Sequence, residues 1–188
     1  MPHAATPEDD KVLAAGPLRV RFIRTGDRYA HVIEHEAESR WVELMRSVEG
    51  DHASAWPASP PLQYVEINAR SADSTALLVG MSGKSHWSMS MTLNGAARRI
   101  ECDVACRLRE PAGWLGSTYQ TPGPMGRCGA KARGVCGNLL LEVSAVPVEI
   151  ELRTGGSSEN QMLIVPTLNL SQDPQTVRWI YTVMVSDC

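Results

Sequence analysis

The segment from His86 to Leu108 constrains the fold more than any other. Trp87, Met89, Met91 and Leu93 alternate with His86, Ser88, Ser90 and Thr92. Past Asn94-Gly95, Ile100, Cys102, Val104 and Cys106 alternate with Arg99, Glu101, Asp103, Ala105 and Arg107. A period of two belongs to a strand, because successive side chains leave a strand on opposite faces. Asn-Gly between two such runs signals a hairpin, since both residues tolerate the positive φ of a tight turn. Pairing Leu93 with Ala96 or with Arg98 keeps the same parity. In either register Trp, Met, Ile, Val and Cys take one face. Ser, Thr, His, Arg and the carboxylates take the other. The first face needs a core, and the second is left to water or a partner.

Shorter extended runs fill most of the remaining chain. Leu18 to Arg24 and Arg28 to Glu36 flank Thr25-Gly26-Asp27, a second hairpin whose register is ambiguous by one residue. Between Glu38 and Val48, Trp41, Leu44, Met45 and Val48 fall at i, i+3, i+4 and i+7. That spacing predicts one short helix over about 38–49 with Gly50 as its stop, although a strand through Trp41–Leu44 also fits. Residues 51–61, with Trp56-Pro57 and Pro60-Pro61, read as a loop. Leu62 to Ala69 and Thr75 to Met81 read as strands. The unbroken apolar run Ala76–Val79 argues for a central place in a sheet.

Trp114 to Gln120 reads as a short strand, and Thr121 to Gly137 as a Gly/Pro-rich loop. Asn138 to Val146 and Val148 to Arg153 are strands broken at Pro147, followed by a polar turn over Gly155–Asn160. Met162 to Leu168 and Val177 to Val185 close the chain. About ten strands with at most one helix predict an all-β protein, an antiparallel sandwich or a closed barrel. The sequence contains no internal repeat. Residues 1–16 read as a disordered lead-in and 17–188 as a single β domain.

Composition excludes several classes. With 188 residues, 43% apolar and 21% charged, the chain can build a core of its own. No apolar run reaches the roughly 18 residues needed to span a bilayer. A net charge of −3 argues against a protein made to coat nucleic acid or anionic membrane. The first ten residues lack a basic segment followed by an apolar one, so the expected compartment is the cytoplasm, with thiols reduced. Five cysteines, none spaced C-x-x-C, offer neither a zinc ribbon nor a thioredoxin-type pair. Cys188, the last residue, is expected to be exposed and open to oxidative dimerisation.

Several residue groups invite chemistry. Gly80-Met81-Ser82-Gly83-Lys84-Ser85 imitates a phosphate loop but has two residues between the glycines where four are needed, and a strand follows where a helix is required. It reads as a turn with Gly83 at positive φ, leaving at most a weak anion site at Lys84 and the turn amides. His86 shares the polar face with Ser88, Asp103 and Arg107, with Asp103 or Ala105 expected opposite it. Ser, His and Asp together can support general-base or nucleophilic chemistry, although nucleophiles more often stand on tight turns than mid-strand. Cys102 and Cys106 share the core face, roughly 13 Å apart along one strand and too far for a disulfide. Cys128 and Cys136 bracket residues 129–135 in the 121–137 loop, which carries Arg127, Lys131 and Arg133 and no carboxylate, a setting that favours thiolate and allows a redox pair. His31 and His35 share a strand face at a separation too long to chelate one metal. Glu34, Glu36 and Glu38 read as a solvated edge.

A resemblance accompanies these readings. Ser47-Val48-Glu49-Gly50, Trp56-Pro57-Ala58-Ser59-Pro60-Pro61-Leu62-Gln63, Leu77 through Ser88, Asp103-Val104-Ala105-Cys106-Arg107 and Leu115-Gly116-Ser117-Thr118-Tyr119 resemble the landmarks of an uncharacterised protein family typical of planctomycete bacteria. They cover about residues 47–119. The resemblance implies a bacterial origin and carries no activity or catalytic residue with it. The leading functional expectation is a noncatalytic binding or protein-interaction domain. Its surface is formed by Lys84, His86, Ser88, Asp103 and Arg107, and its partner is a protein or a small anionic ligand. No cofactor or metal is expected. The alternatives are a small hydrolase-like enzyme using His86 with Asp103 or Ser88, and a redox-responsive protein using Cys128 and Cys136.

Overall fold

The computed structural model describes residues 10–69, 74–146, 148–153, 160–166 and 175–188. The Pro147 break, residues 1–9 of the lead-in, most of the 155–160 turn and the end of the 162–168 strand lie outside them. The strands in chain order are β1 Lys11–Ala15, β2 Leu18–Thr25, β3 Arg28–Ala37, β4 Arg40–Ser47 and β5 Tyr64–Ala69. Next come β6 Ser74–Ser82, β7 Ser85–Asn94, β8 Arg99–Arg107, β9 Ser117–Gln120 and β10 Met125–Cys128. The last are β11 Lys131–Cys136, β12 Leu139–Val146, β13 Val148–Arg153, β14 Gln161–Pro166 and β15 Thr176–Asp187. No helix occurs among the described residues, so none there is long and apolar enough to cross a membrane.

The strands form two antiparallel sheets. One runs β1-β2-β3-β4-β9-β14-β13 and the other β10-β11-β12-β15-β8-β7-β6-β5. Neither closes on itself, so the architecture is a sandwich and not a barrel. Alternation along each strand sends one face to a common core. In the eight-stranded sheet Trp87, Met89, Met91, Leu93, Ile100, Val104, Trp179 and Val183 point inward. In the seven-stranded sheet Leu18, Val20, Phe22, Ile33, Met45 and Ile164 meet them. The Trp87 and Trp179 rings meet edge to face at 6.2 Å, a geometry worth about 1 kcal/mol beyond area burial.

The expected helix over 38–49 is instead β4. Glu38 and Ser39 take positive φ of 50° and 62° and make a two-residue turn that returns the chain antiparallel to β3. A bulge between Ile33 and Glu34 places Leu44 as an extra residue on β4, so Leu44 and Met45 are both fully buried. A bulged strand thereby reproduces the i+3, i+4 spacing of an amphipathic helix. The additional strands beyond about ten come from β1, β4 and the β10–β11 hairpin, which lies within the expected 121–137 loop. Residues 11–15 of the expected lead-in pair with β2 as β1, because Leu13 opposite Val20 reaches the core. The glutamates of β3 mark no free edge. β3 lies between β2 and β4, and Glu34 is buried against Arg19 and Arg21 at 2.5 and 3.0 Å.

Candidate functional site

The β6–β7–β8 hairpins position the residues that the sequence singled out. Gly83 stands at φ 56° in a two-residue turn, Gly83-Lys84, that pairs Ser82 with Ser85. β7 then pairs with β8 as Leu93 with Ile100 and His86 with Arg107. This register lies two residues beyond the wider of the two expected pairings, so His86 faces Arg107 and neither Asp103 nor Ala105. The cause is local. Asn94 caps the Ala97 amide at 2.8 Å and Arg98 takes a positive φ of 45°, which makes a four-residue loop in place of a two-residue Asn-Gly turn. Parity survives, so the expected polar face is intact.

That outer face carries a groove of about 530 Å³. Its floor is Ser88 and Ala105, which pair across β7 and β8. Tyr64, Val79 and Met81 wall one side, and His86, Arg107 and Thr176 bound the other. His86, Ser88 and Arg107 are exposed. Neither the His86 nor the Arg107 side chain makes a hydrogen bond or ion pair among the described residues. Asp103 is held by Arg178 through two bonds of 2.7 and 2.6 Å, and it pairs across from Ser90. It stands about 13 Å along β8 from the position opposite His86. Ser88 lies opposite Ala105. The structure therefore unites His86, Ser88 and Arg107 but separates Asp103 from them. Lys84 sits in the turn outside the groove. Its amide donates to Glu110 Oε1 at 3.5 Å, so a carboxylate of the chain itself occupies the candidate anion position.

The cysteine pair does not assemble. Cys128 pairs with Lys131 at one end of β11, and Cys136 lies at the other, roughly 17 Å along the strand. Both are free thiols. The basic stretch is partly neutralised, because Lys131 and Arg133 converge on the single carboxylate of Glu142 of β12 at 2.7 and 2.6 Å, while Arg127 donates to the Gly129 carbonyl. Burial raises the Cys136 thiol above its ordinary pKa, the opposite of the expected activation. Cys102 and Cys106 are core residues, and burial pushes both thiols up to about 12. Among the described residues no cluster of three or more His, Cys, Asp or Glu is placed to hold a metal.

Two features escaped the sequence reading. The first is the apolar wall itself. β6 is flanked by β5 and β7, yet Leu77, Val79 and Met81 are 47, 50 and 46% exposed. Its apolar run therefore does not reflect burial on both faces. The small polar residues of β7 that flank that side, Ser88 and Ser90, were the available signal. The second is a cluster at the β2–β3 turn. His52 Nδ1 bonds Asp27 Oδ1 at 2.8 Å, and the buried Arg28 holds the same carboxylate from Nε at 2.9 Å. Arg28, with His52 and Gln63 adding to it, holds the Asp27 carboxyl well below the usual range. Asp27 and His52 lie 25 positions apart, with no shared periodicity to link them. Gln63 joins this cluster to the groove, with its amide 3.5 Å from Asp27 Oδ2 and its carbonyl 3.1 Å from the Met81 amide.

No protein-family model matches the chain, and no curated protein matches it.

Proposed function

We propose that this chain is a noncatalytic binding domain whose ligand lies in the groove on the outer face of the eight-stranded sheet. One observation carries the reading. Arg107, a cation without a partner among the described residues, faces an exposed apolar wall of Tyr64, Val79 and Met81 across a groove of about 530 Å³. That volume lies within the range of small-molecule sites. A guanidinium offers five donors to a carboxylate or phosphate, and the wall removes apolar surface from water. The ligand class that fits is a small anion with an apolar body. His86 and Ser88 both line the groove, two residues apart on one face of β7, but no hydrogen bond joins their side chains among the described residues, and the binding reading is preferred to nucleophile–base chemistry. We also propose the family relationship suggested over residues 47–119, a stretch that supplies Val79, Met81, His86, Ser88 and Arg107.

Decanoate is a suitable probe. Calorimetric titration should give saturable binding to the whole chain. Arg107→Ala and Val79→Ser should each weaken it about tenfold, near 1.4 kcal/mol. Binding that is unchanged in both variants would remove the groove from consideration.

A further inference from the structure

The opposite face of the sandwich carries a second cleft, of about 320 Å³. Its floor is Thr118 of β9 with Gln161 and Leu163 of β14, neighbours in the seven-stranded sheet. Its walls are Trp56 and Ala58 from the 48–63 connection, Trp114 from the 108–116 connection, and Val48. The other three tryptophans are accounted for, with Trp87 and Trp179 in the core and Trp41 beneath the Arg19 guanidinium at 4.0 Å. Trp56 and Trp114 are half-buried and flank this one cleft.

The walls are held before any ligand arrives. Ser59 Oγ donates to the Thr118 carbonyl at 2.9 Å and accepts from the Thr118 amide at 3.2 Å. Trp114 Nε1 donates to the Ala58 carbonyl at 3.4 Å. Gly113 and Gly116 seat the two rings, since a Cβ at either would stand 2.9 Å from Trp56 or Trp114. Ordering of loop and side chains therefore costs little on binding.

We infer that this cleft binds a pyranose unit of an uncharged oligosaccharide. None of the residues lining it is charged. An anionic ligand would leave its charge unpaired there, at a substantial desolvation cost. Two indoles offer flat apolar surface to the C–H face of a sugar ring, while the Gln161 amide supplies two donors and an acceptor to ring hydroxyls. A quaternary ammonium, the other common occupant of aromatic clefts, would find beside the floor only Glu151 of β13, across from Leu163 and already engaged in an interaction of its own.

The test uses the whole chain and five probes: cellohexaose, xylohexaose, mannohexaose, maltohexaose and choline chloride. Tryptophan fluorescence and calorimetry should detect at least one hexaose with a dissociation constant below about 1 mM. Trp114→Ala should weaken that binding at least about tenfold while leaving decanoate binding as in the wild type. Because Trp56 also packs on the core, Gln161→Ala supplies the second variant, at a position whose backbone pairing with Gln120 does not depend on the side chain. It should weaken saccharide binding severalfold. The inference is overturned if no hexaose binds at about 10 mM, if both variants bind as wild type, or if choline binds and the hexaoses do not.

Discussion

Glu49 and His31 lie in a polar seam through the interior, and burial pushes their protonation in opposite directions. Glu49 accepts from Ser47 Oγ at 2.6 Å, and Ser47 Oγ also accepts from the His31 amide at 2.8 Å. His31 Nε2 lies 2.6 Å from the Tyr119 hydroxyl, itself 2.5 Å from that of Tyr181. Desolvation raises Glu49 to about 7 and lowers His31 to about 4. A carboxyl raised in the folded state contributes stability at low pH that is lost as pH rises from about 4.5 to about 7. An imidazole lowered in the folded state contributes stability above about 6.5 that is lost as pH falls to about 4. Each effect is on the order of 3 kcal/mol at most, and in the wild type they largely offset one another. Glu49→Gln keeps the neutral shape and removes one side of the balance. Its urea midpoint should rise between pH 4.5 and 6.5 clearly more steeply than that of the wild type. Equal slopes would show that Glu49 does not titrate as a buried group. Individual residues of this kind were not legible in the sequence, because burial of Glu49 depends on a loop that has no periodicity.

At the scale of elements, parity was legible and register was not. The alternation over 86–108 identified the inward and outward residues of β7 and β8, and it survived a two-residue slip because a slip of two changes no face. Asp103 was lost from the candidate site by the same slip. Apolar spacing misled twice, at the bulge of β4 and along β6, where exposed residues are apolar for reasons other than the core. Cys128 and Cys136 illustrate what a loop assignment conceals. Once 125–136 is a hairpin, its strand length separates the two thiols. Mild oxidation with diamide should therefore give no Cys128–Cys136 disulfide in peptide maps of the folded chain. The exposed Cys128 and Cys188 should instead form intermolecular dimers. A dominant intramolecular 128–136 bridge would contradict the hairpin.

For the whole molecule, the sandwich leaves two broad outer faces with different chemistry. The eight-stranded sheet presents an apolar wall and an unpaired Arg107, and the seven-stranded sheet an uncharged tryptophan cleft. All-β class and antiparallel pairing were legible from short alternating runs. The choice of sandwich over barrel was not, since it depends on which edges remain unpaired. The central claim is that the groove beside β6 binds ligand, and amide chemical-shift mapping during a decanoate titration addresses it most directly. The account predicts saturable shifts concentrated at Val79, Met81, Ser88, Ala105 and Arg107, with Glu142 and Gln161 unmoved. Shifts scattered over both sheets, or none at all at saturating decanoate, would contradict it.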